Sequence, residues 1–258
     1  MHPMLKLITN NQHRGKPLAA KKTADNEATI YLYDMIVNTD EEAAWWGGIS
    51  PQAFIKELNS VTADTIHLRI NSPGGSVFAA RSIEQAIREH KSTVIAHIDG
   101  YAASAASFLV MAADQIVIAP GAFVMIHKAW TMTYGNENDL IKEAGLLGQI
   151  DGSLVKTYAA KTGQDPEQIR SWMTDETWFD AEQAVDLGFA DSIATEESVS
   201  NTETVTWNLS AYAHPPEASQ PPEAPPPEPT TPSEEVTLDS TVDRDALHRA
   251  ALLALIPA

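Results

Sequence analysis

Along the first 195 residues the apolar positions fall into two alternating rhythms. Short runs rich in β-branched and apolar residues read as strands: ATIYLYDMIV (28–37), TIHLRI (65–70), TVIAHI (93–98), QIVIA (115–119) and FVMI (123–126). Segments with helical spacing lie between them. SPQAFIKELNSV (50–61) carries Ser50 at the N-cap and Pro51 at the first helical position. SVFAARSIEQAIREH (76–90) sets Ala80, Ile83 and Ile87 along one stripe. ASAASFLVMAA (103–113) predicts a short helix, and 138–161 a long one in which Leu140, Leu147 and Leu154 repeat every seven residues. Asp165 and Pro166 start another helix, and AEQAVDLG (181–188) one that Gly188 ends before FADSI. Strand and helix in alternation imply an α/β fold with a parallel sheet.

Both rhythms stop near residue 196, where Pro, Glu, Ser and Thr take over; nine of the sixteen prolines lie between Pro215 and Pro232. Such a composition does not bury enough apolar surface to offset its ordering entropy, so 196–239 reads as an extended acidic linker. The chain then ends in a short apolar stretch, 240–258. Ser240 and Asp243 make a capping box there, and Leu247, Ala250, Ala251 and Leu255 share one helical face. That face suits a partner or a return onto the chain's own body.

Charge and composition narrow the chemistry. The formal net charge is −18, about half of it beyond residue 195, which argues against nucleic-acid binding because phosphate contacts need clustered Lys and Arg. With no cysteine there is no thiolate nucleophile and no Cys-based metal site. The N-terminal stretch lacks the apolar core of a secretory signal and no apolar run has the length of a membrane span, so a cytoplasmic location is expected.

Four stretches carry candidate chemistry. I-N-S-P-G-G-S (70–76) ends a strand and leads through two glycines into a helix. Backbone N–H groups in such a turn suit an oxyanion or a peptide edge, though an ordinary strand-to-helix turn has the same look. G-Y-A-A-S-A-A-S-F (100–108) places Ser104 and Ser107 among alanines at another strand-to-helix junction, where a nucleophile or a tightly packed helix would fit equally. It is not the G-x-S-x-G elbow of the α/β-hydrolases. V-M-I-H-K (124–128) puts His127 at a strand end, as a general base or a buried imidazole; His97, before Asp99-Gly100, competes with it. D-E-T-W-F-D (175–180) offers acids, as a histidine-orienting group or as solvated helix caps.

Taken together and in this order, the four stretches resemble the Clp protease proteolytic subunit, a serine peptidase with the crotonase-like fold. The resemblance covers roughly 28–194 and includes Y-A-A-K-T-G-Q-D-P-E-Q-I (158–169), similar to the end of the family's handle helix. It implies repeated ββα units with a protruding handle at about 131–168, inside a peptidase domain at 28–195 preceded by an N-terminal extension, 1–27. It implies Ser104 as nucleophile rather than Ser107, His127 as base, and an oxyanion site at Gly75 and Ala105 shaped by Gly74. The register of W-F-D-A puts Glu176 at the third catalytic position, where the family usually has Asp; Asp175 is the alternative one residue away. No metal or organic cofactor is expected. The family's subunits stack as homo-oligomeric rings on protein substrates, with an ATPase partner in the housekeeping type.

The D-E-T-W-F variant and the tail are similar to the ClpP-like head maturation proteases of tailed phages and prophages. That similarity implies a capsid or scaffold substrate in the host cytoplasm or the procapsid interior. Alternatives are a housekeeping peptidase subunit and a catalytically silent capsid-assembly scaffold. An acyl-CoA-handling crotonase, or a Ser–Lys peptidase using Lys128, would share parts of the pattern.

Overall fold

The computed structural model describes residues 1–24, 26–195 and 205–216. All belong to one compact unit, Met1–Pro221. The expected helix at 240–258, with Ser240, Asp243 and its apolar face, lies outside the described residues.

Four parallel strands form the centre of the sheet: β2 (Glu27–Leu32), β3 (Thr65–Ser72), β4 (Thr93–Ala103) and β5 (Gln115–Ile118). Their inward positions are aliphatic. Ile30, Leu32, Ile66, Leu68, Ile70, Ala96, Ile98, Ile116 and Ile118 are all buried. Two helices cover that face: α3 (Pro51–Ser60), with Phe54 and Leu58, and α4 (Val77–Glu89), with Ala80, Ile83 and Ile87. Ser50 and Ser76 cap them through their side-chain oxygens. The opposite face is polar. There Arg69 holds Asp99 through Nε at 2.8 Å, the Tyr33 hydroxyl donates to the same carboxylate at 2.5 Å, and His67 and His97 share a contact of 2.9 Å. His97 is therefore a sheet-face residue.

Among the described residues the sheet has eight strands, ordered β1-β2-β3-β4-β5-β8, with β6 and β7 off this path. The edge strand β1 (Ala20–Ala24) pairs antiparallel with β2, so the N-terminal extension contributes to the body. So does helix α1 (Pro3–Asn11), which buries Leu7 and Asn11. β8 (Ser192–Ile193) closes the other edge. The predicted strand 28–37 ends at Leu32, and the predicted strand 93–98 runs on to Ala103. Beyond Ile98, β4 leaves β5 and pairs with β6 (Phe123–Ile126), which in turn pairs antiparallel with β7 (Thr177–Phe179). The predicted helix 103–113 is shorter, α5 (Ala105–Leu109), followed by a 3₁₀ turn.

The long helix is α6 (Glu137–Thr162), capped by Asn136 with Asp139 and ended at Gly163 with φ 71°. Its first half is mostly exposed, Leu140 and Ile141 included; Asp151, Leu154, Val155 and Tyr158 of its second half are buried. Arg81 of α4 ties it down through Thr157 (2.8 Å) and Ser153 (3.1 Å). Helix α7 (Pro166–Thr174) starts at its Asp165 cap, and α8 (Ala181–Asp186) follows β7. No described helix is long and apolar enough to cross a membrane.

The expected linker from residue 196 needs correction. Residues 205–216 lie against the body, with Trp207 and Leu209 at 0% exposure and Tyr212 at 5%. The physical reason is local: V-T-W-N-L-S-A-Y carries four large apolar side chains, and burying one is worth about 1.5–3 kcal/mol. That is enough to order a short stretch within a composition that otherwise favours solvent.

Candidate active site

Strand register builds the site. Ala103 of β4 lies opposite Met125 of β6, and Ile126 of β6 opposite Thr177 of β7. The residues just beyond these pairs are Ser104, His127 and Glu176, brought to one end of three adjacent strands.

Ser104 occupies the N-cap position of α5 with φ 53° and ψ −119°, a conformation costing a non-glycine residue about 1–3 kcal/mol. Its side chain makes no capping bond; Oγ lies 2.7 Å from His127 Nε2. Its backbone is pinned on both sides, since N–H donates to Met125 (2.9 Å) and C=O accepts from the Ser107 hydroxyl (2.6 Å). Ser107 is fully buried and also bonded to the Tyr158 hydroxyl at 2.7 Å, which gives it a structural use. The glycine at 74 has a steric reason. A Cβ on Gly74 would lie 2.7 Å from the Ala103 carbonyl oxygen and 2.8 Å from Ser104 Cβ, so the glycine turn and the serine junction are in direct contact.

The bonds that hold that turn include Ile36 N–H to Gly74 C=O (2.9 Å), Ser76 N–H to Ile36 C=O (2.8 Å) and Gly74 N–H to the Ser72 hydroxyl (3.2 Å). None of these uses the Gly75 N–H. The Ala105 N–H, in the first turn of α5, has no intrahelical acceptor. Gly75, Ser104, Ala105 and His127 together line a cleft of about 270 Å³ whose apolar wall includes Phe108, Leu147, Leu154 and Leu7.

His127 is 8% exposed, and burial pushes its pKa down to about 4. The ring is therefore neutral near pH 7. For Nε2 to accept the Ser104 proton, the ring hydrogen must sit on Nδ1. Trp130 and Tyr212 meet the ring at steep angles, with centroids 4.5 and 5.5 Å away.

Glu176, 9% exposed, takes a left-handed conformation with φ 50°. Its carboxylate accepts from the N–H groups of Ala213 (2.9 Å) and His214 (2.8 Å). Among the described residues no carboxylate pairs with the His127 ring; Glu176 and His127 instead line a common cavity of about 360 Å³. The alternative acid, Asp175, is an exposed residue at the C-cap of α7, near the Ser171 hydroxyl at 3.4 Å. The expected Ser–His pair is thus brought together, while the expected acid stands beside it in another bond. Lys128, the base of the Ser–Lys alternative, pairs with Asp151 at 3.6 Å.

Residues 205–216 belong to this site and were not foreseen. Trp207 Nε1 donates to the Asn71 side chain at 3.0 Å, and the Tyr212 hydroxyl donates to the Pro73 carbonyl at 2.5 Å. The alternation Val205, Trp207, Leu209 followed by Tyr212 is the sequence signal that marks the segment. Among the described residues no group of three or more His, Asp or Glu side chains is arranged to hold a metal ion.

The profile of the Clp protease family matches residues 22–197. The ATP-dependent Clp protease proteolytic subunit 2 of Corynebacterium efficiens is 32% identical over 179 residues, 68% of this chain and 87% of the relative. Subunit 1 of Corynebacterium jeikeium is 31% identical over 176 residues, 67% of this chain and 90% of the relative. Subunit 2 of Tropheryma whipplei is 33% identical over 135 residues, 52% and 75% of the two chains.

Proposed function

Since the chain belongs to the Clp protease family, whose members are serine-type endopeptidases, we propose that Ser104 is its nucleophile, His127 its general base and Glu176 its orienting acid. The observation that carries this reading is the 2.7 Å contact between Ser104 Oγ and His127 Nε2 inside a cleft bordered by the glycine turn. Ser104 Oγ attacks the scissile carbonyl while His127 Nε2 takes its proton. The N–H groups of Gly75 and Ala105 hold the oxyanion; one such donor is typically worth about 3–4 kcal/mol at the transition state. His127 then protonates the leaving amine, and water, activated by the same imidazole, releases the acyl group from Ser104. Glu176 serves by accepting a hydrogen bond from Nδ1–H, which holds the ring in the tautomer that Nε2 needs. Asp175 is too far into solvent to be preferred.

The substrate reading is a capsid or scaffold protein, cut inside a phage procapsid or the host cytoplasm by stacked rings of this chain. Its support is the D-E-T-W-F variant and the tail that follows the peptidase domain. The relatives' designation as ATP-dependent proteolytic subunits favours a second reading, in which an ATPase delivers unfolded substrates.

Intact mass spectrometry tests both. The full chain and its Ser104→Ala variant are incubated with a capsid or scaffold protein, and with an unrelated disordered protein with and without a Clp-type ATPase and ATP. Cleavage of the capsid or scaffold protein alone, lost in Ser104→Ala, supports head maturation. Cleavage of the disordered protein only with the ATPase supports the second reading. Undiminished cleavage by Ser104→Ala overturns the nucleophile.

A further inference from the structure

The segment 205–216 meets the site at two points, and both are chemically consequential. Tyr212 forms part of the cleft wall that also contains Ser104, with its hydroxyl on the Pro73 carbonyl of the glycine turn. One residue further on, the consecutive N–H groups of Ala213 and His214 grip the two oxygens of Glu176. Glu176 is the acid that strand register sets beside His127, and it faces the same cavity as the imidazole. One backbone donor on each oxygen, with Trp178 Nε1 at 3.5 Å from Oε1, fixes where the carboxylate points, and no other acid pairs with the ring among the described residues.

We propose that residues 205–216 are a tethered latch that keeps this peptidase site latent: they hold Glu176 off His127 and place Tyr212 in the cleft beside Ser104. When the segment leaves, Glu176 is free to accept from His127 Nδ1, and the cleft opens for a substrate strand. The proposal rests on the serine peptidase reading above.

The way the segment is held suits a latch. It forms no helix and pairs with no strand of the sheet. Its attachments are side-chain anchors and local hydrogen bonds to separate elements, among them the reciprocal pair between Asn208 and Asn11 of α1 (2.8 and 2.9 Å) and Asn71 Nδ2 to the Val205 carbonyl (3.0 Å). Release therefore breaks no strand pairing of the sheet, while α1 gives up the contacts of Leu7 and Asn11 with the segment. The cavity between Glu176 and His127 is also lined by Lys128, Asp175 and His214, so a swinging carboxylate moves through a polar space.

The test compares the rate at which a fluorophosphonate modifies Ser104 in the full-length chain and in two variants. Tyr212→Ala removes a buried anchor. His214→Pro deletes one N–H donor to Glu176 at an exposed position and spares every anchor. Thermal melts show that each variant is folded, and Tyr212→Ala combined with Ser104→Ala controls for labelling elsewhere. Both variants are expected to react faster than the parent chain, by about tenfold where the open state is about a tenth of the parent population. Hydrolysis of a short peptide should rise in parallel. Equal or slower reaction in folded variants, with the parent still labelled at Ser104, overturns the latch and leaves the peptidase reading standing; the segment would then be a strut that positions Glu176. No labelling of Ser104 in any of the three chains overturns the peptidase reading, and the latch with it.

Discussion

Ser104 holds a left-handed backbone at the start of a helix that its side chain does not cap. Both costs have one outcome: the hydroxyl points at His127. That histidine carries a consequence for pH. Burial lowers its pKa from the ordinary 6.5 to about 4, so the unfolded chain binds a proton that the folded chain refuses between those values. Stability should be constant above about pH 6.5 and fall as the pH drops toward 4, by at most about 3 kcal/mol from this group. Urea unfolding at a series of pH values checks it, with His127→Gln expected to flatten that part of the slope. At this scale the sequence was informative about identity and silent about partners. Ser104 and His127 stand in short local patterns. The residues alone left Ser104 and Ser107 open and only the family resemblance chose between them; the bond that occupies Ser107 comes from the Tyr158 hydroxyl, 51 residues away. The donors on Glu176 come from 37 and 38 residues away, and no local pattern announces them.

Elements matter through their ends. Besides β3, β4 pairs with β5 along its first part and with β6 at its end, and this split brings Ser104 alongside His127. The helix behind Ser104 is braced from α4, where Arg81 lies over the Phe108 ring at 4.6 Å, reaches α6 and pairs with buried Glu84. Arg81→Met should destabilise the chain by about 1–3 kcal/mol, since Thr157 and Glu84 lose a charged partner. A drop in the urea midpoint with unchanged slope is the expected result; an unchanged midpoint removes the brace from this account. The elements that were legible have strong rhythms, such as α4 and β6. Helix α2 (Asp40–Trp46) went unseen because D-E-E-A-A-W-W buries no side chain and so has no apolar stripe. β1 is A-K-K-T-A at a sheet edge, and β7 is three residues long, below the reach of any period.

For the whole molecule, two surfaces decide the reading. The first half of α6 exposes Leu140, Ile141 and Leu146, large apolar side chains that a contact between subunits would cover. Self-assembly through this helix should appear as multiples of the chain mass in native mass spectrometry, and Ile141→Asp should shift the distribution toward the single chain. A single chain at all concentrations would refute assembly. The second surface is the one under residues 205–216. Composition alone placed this stretch in a linker, because Pro, Glu, Ser and Thr around it dilute four large apolar side chains. Fold class was legible because it averages over many residues; the latch was not, because twelve residues set it.

Prolonged exposure of the full-length chain to a fluorophosphonate, followed by peptide mapping, tests whether Ser104 is a nucleophile activated by His127. The expected result is one adduct, on Ser104, absent when His127 is replaced by alanine. A chain that stays unmodified, or is modified at Ser107 or elsewhere, contradicts the account.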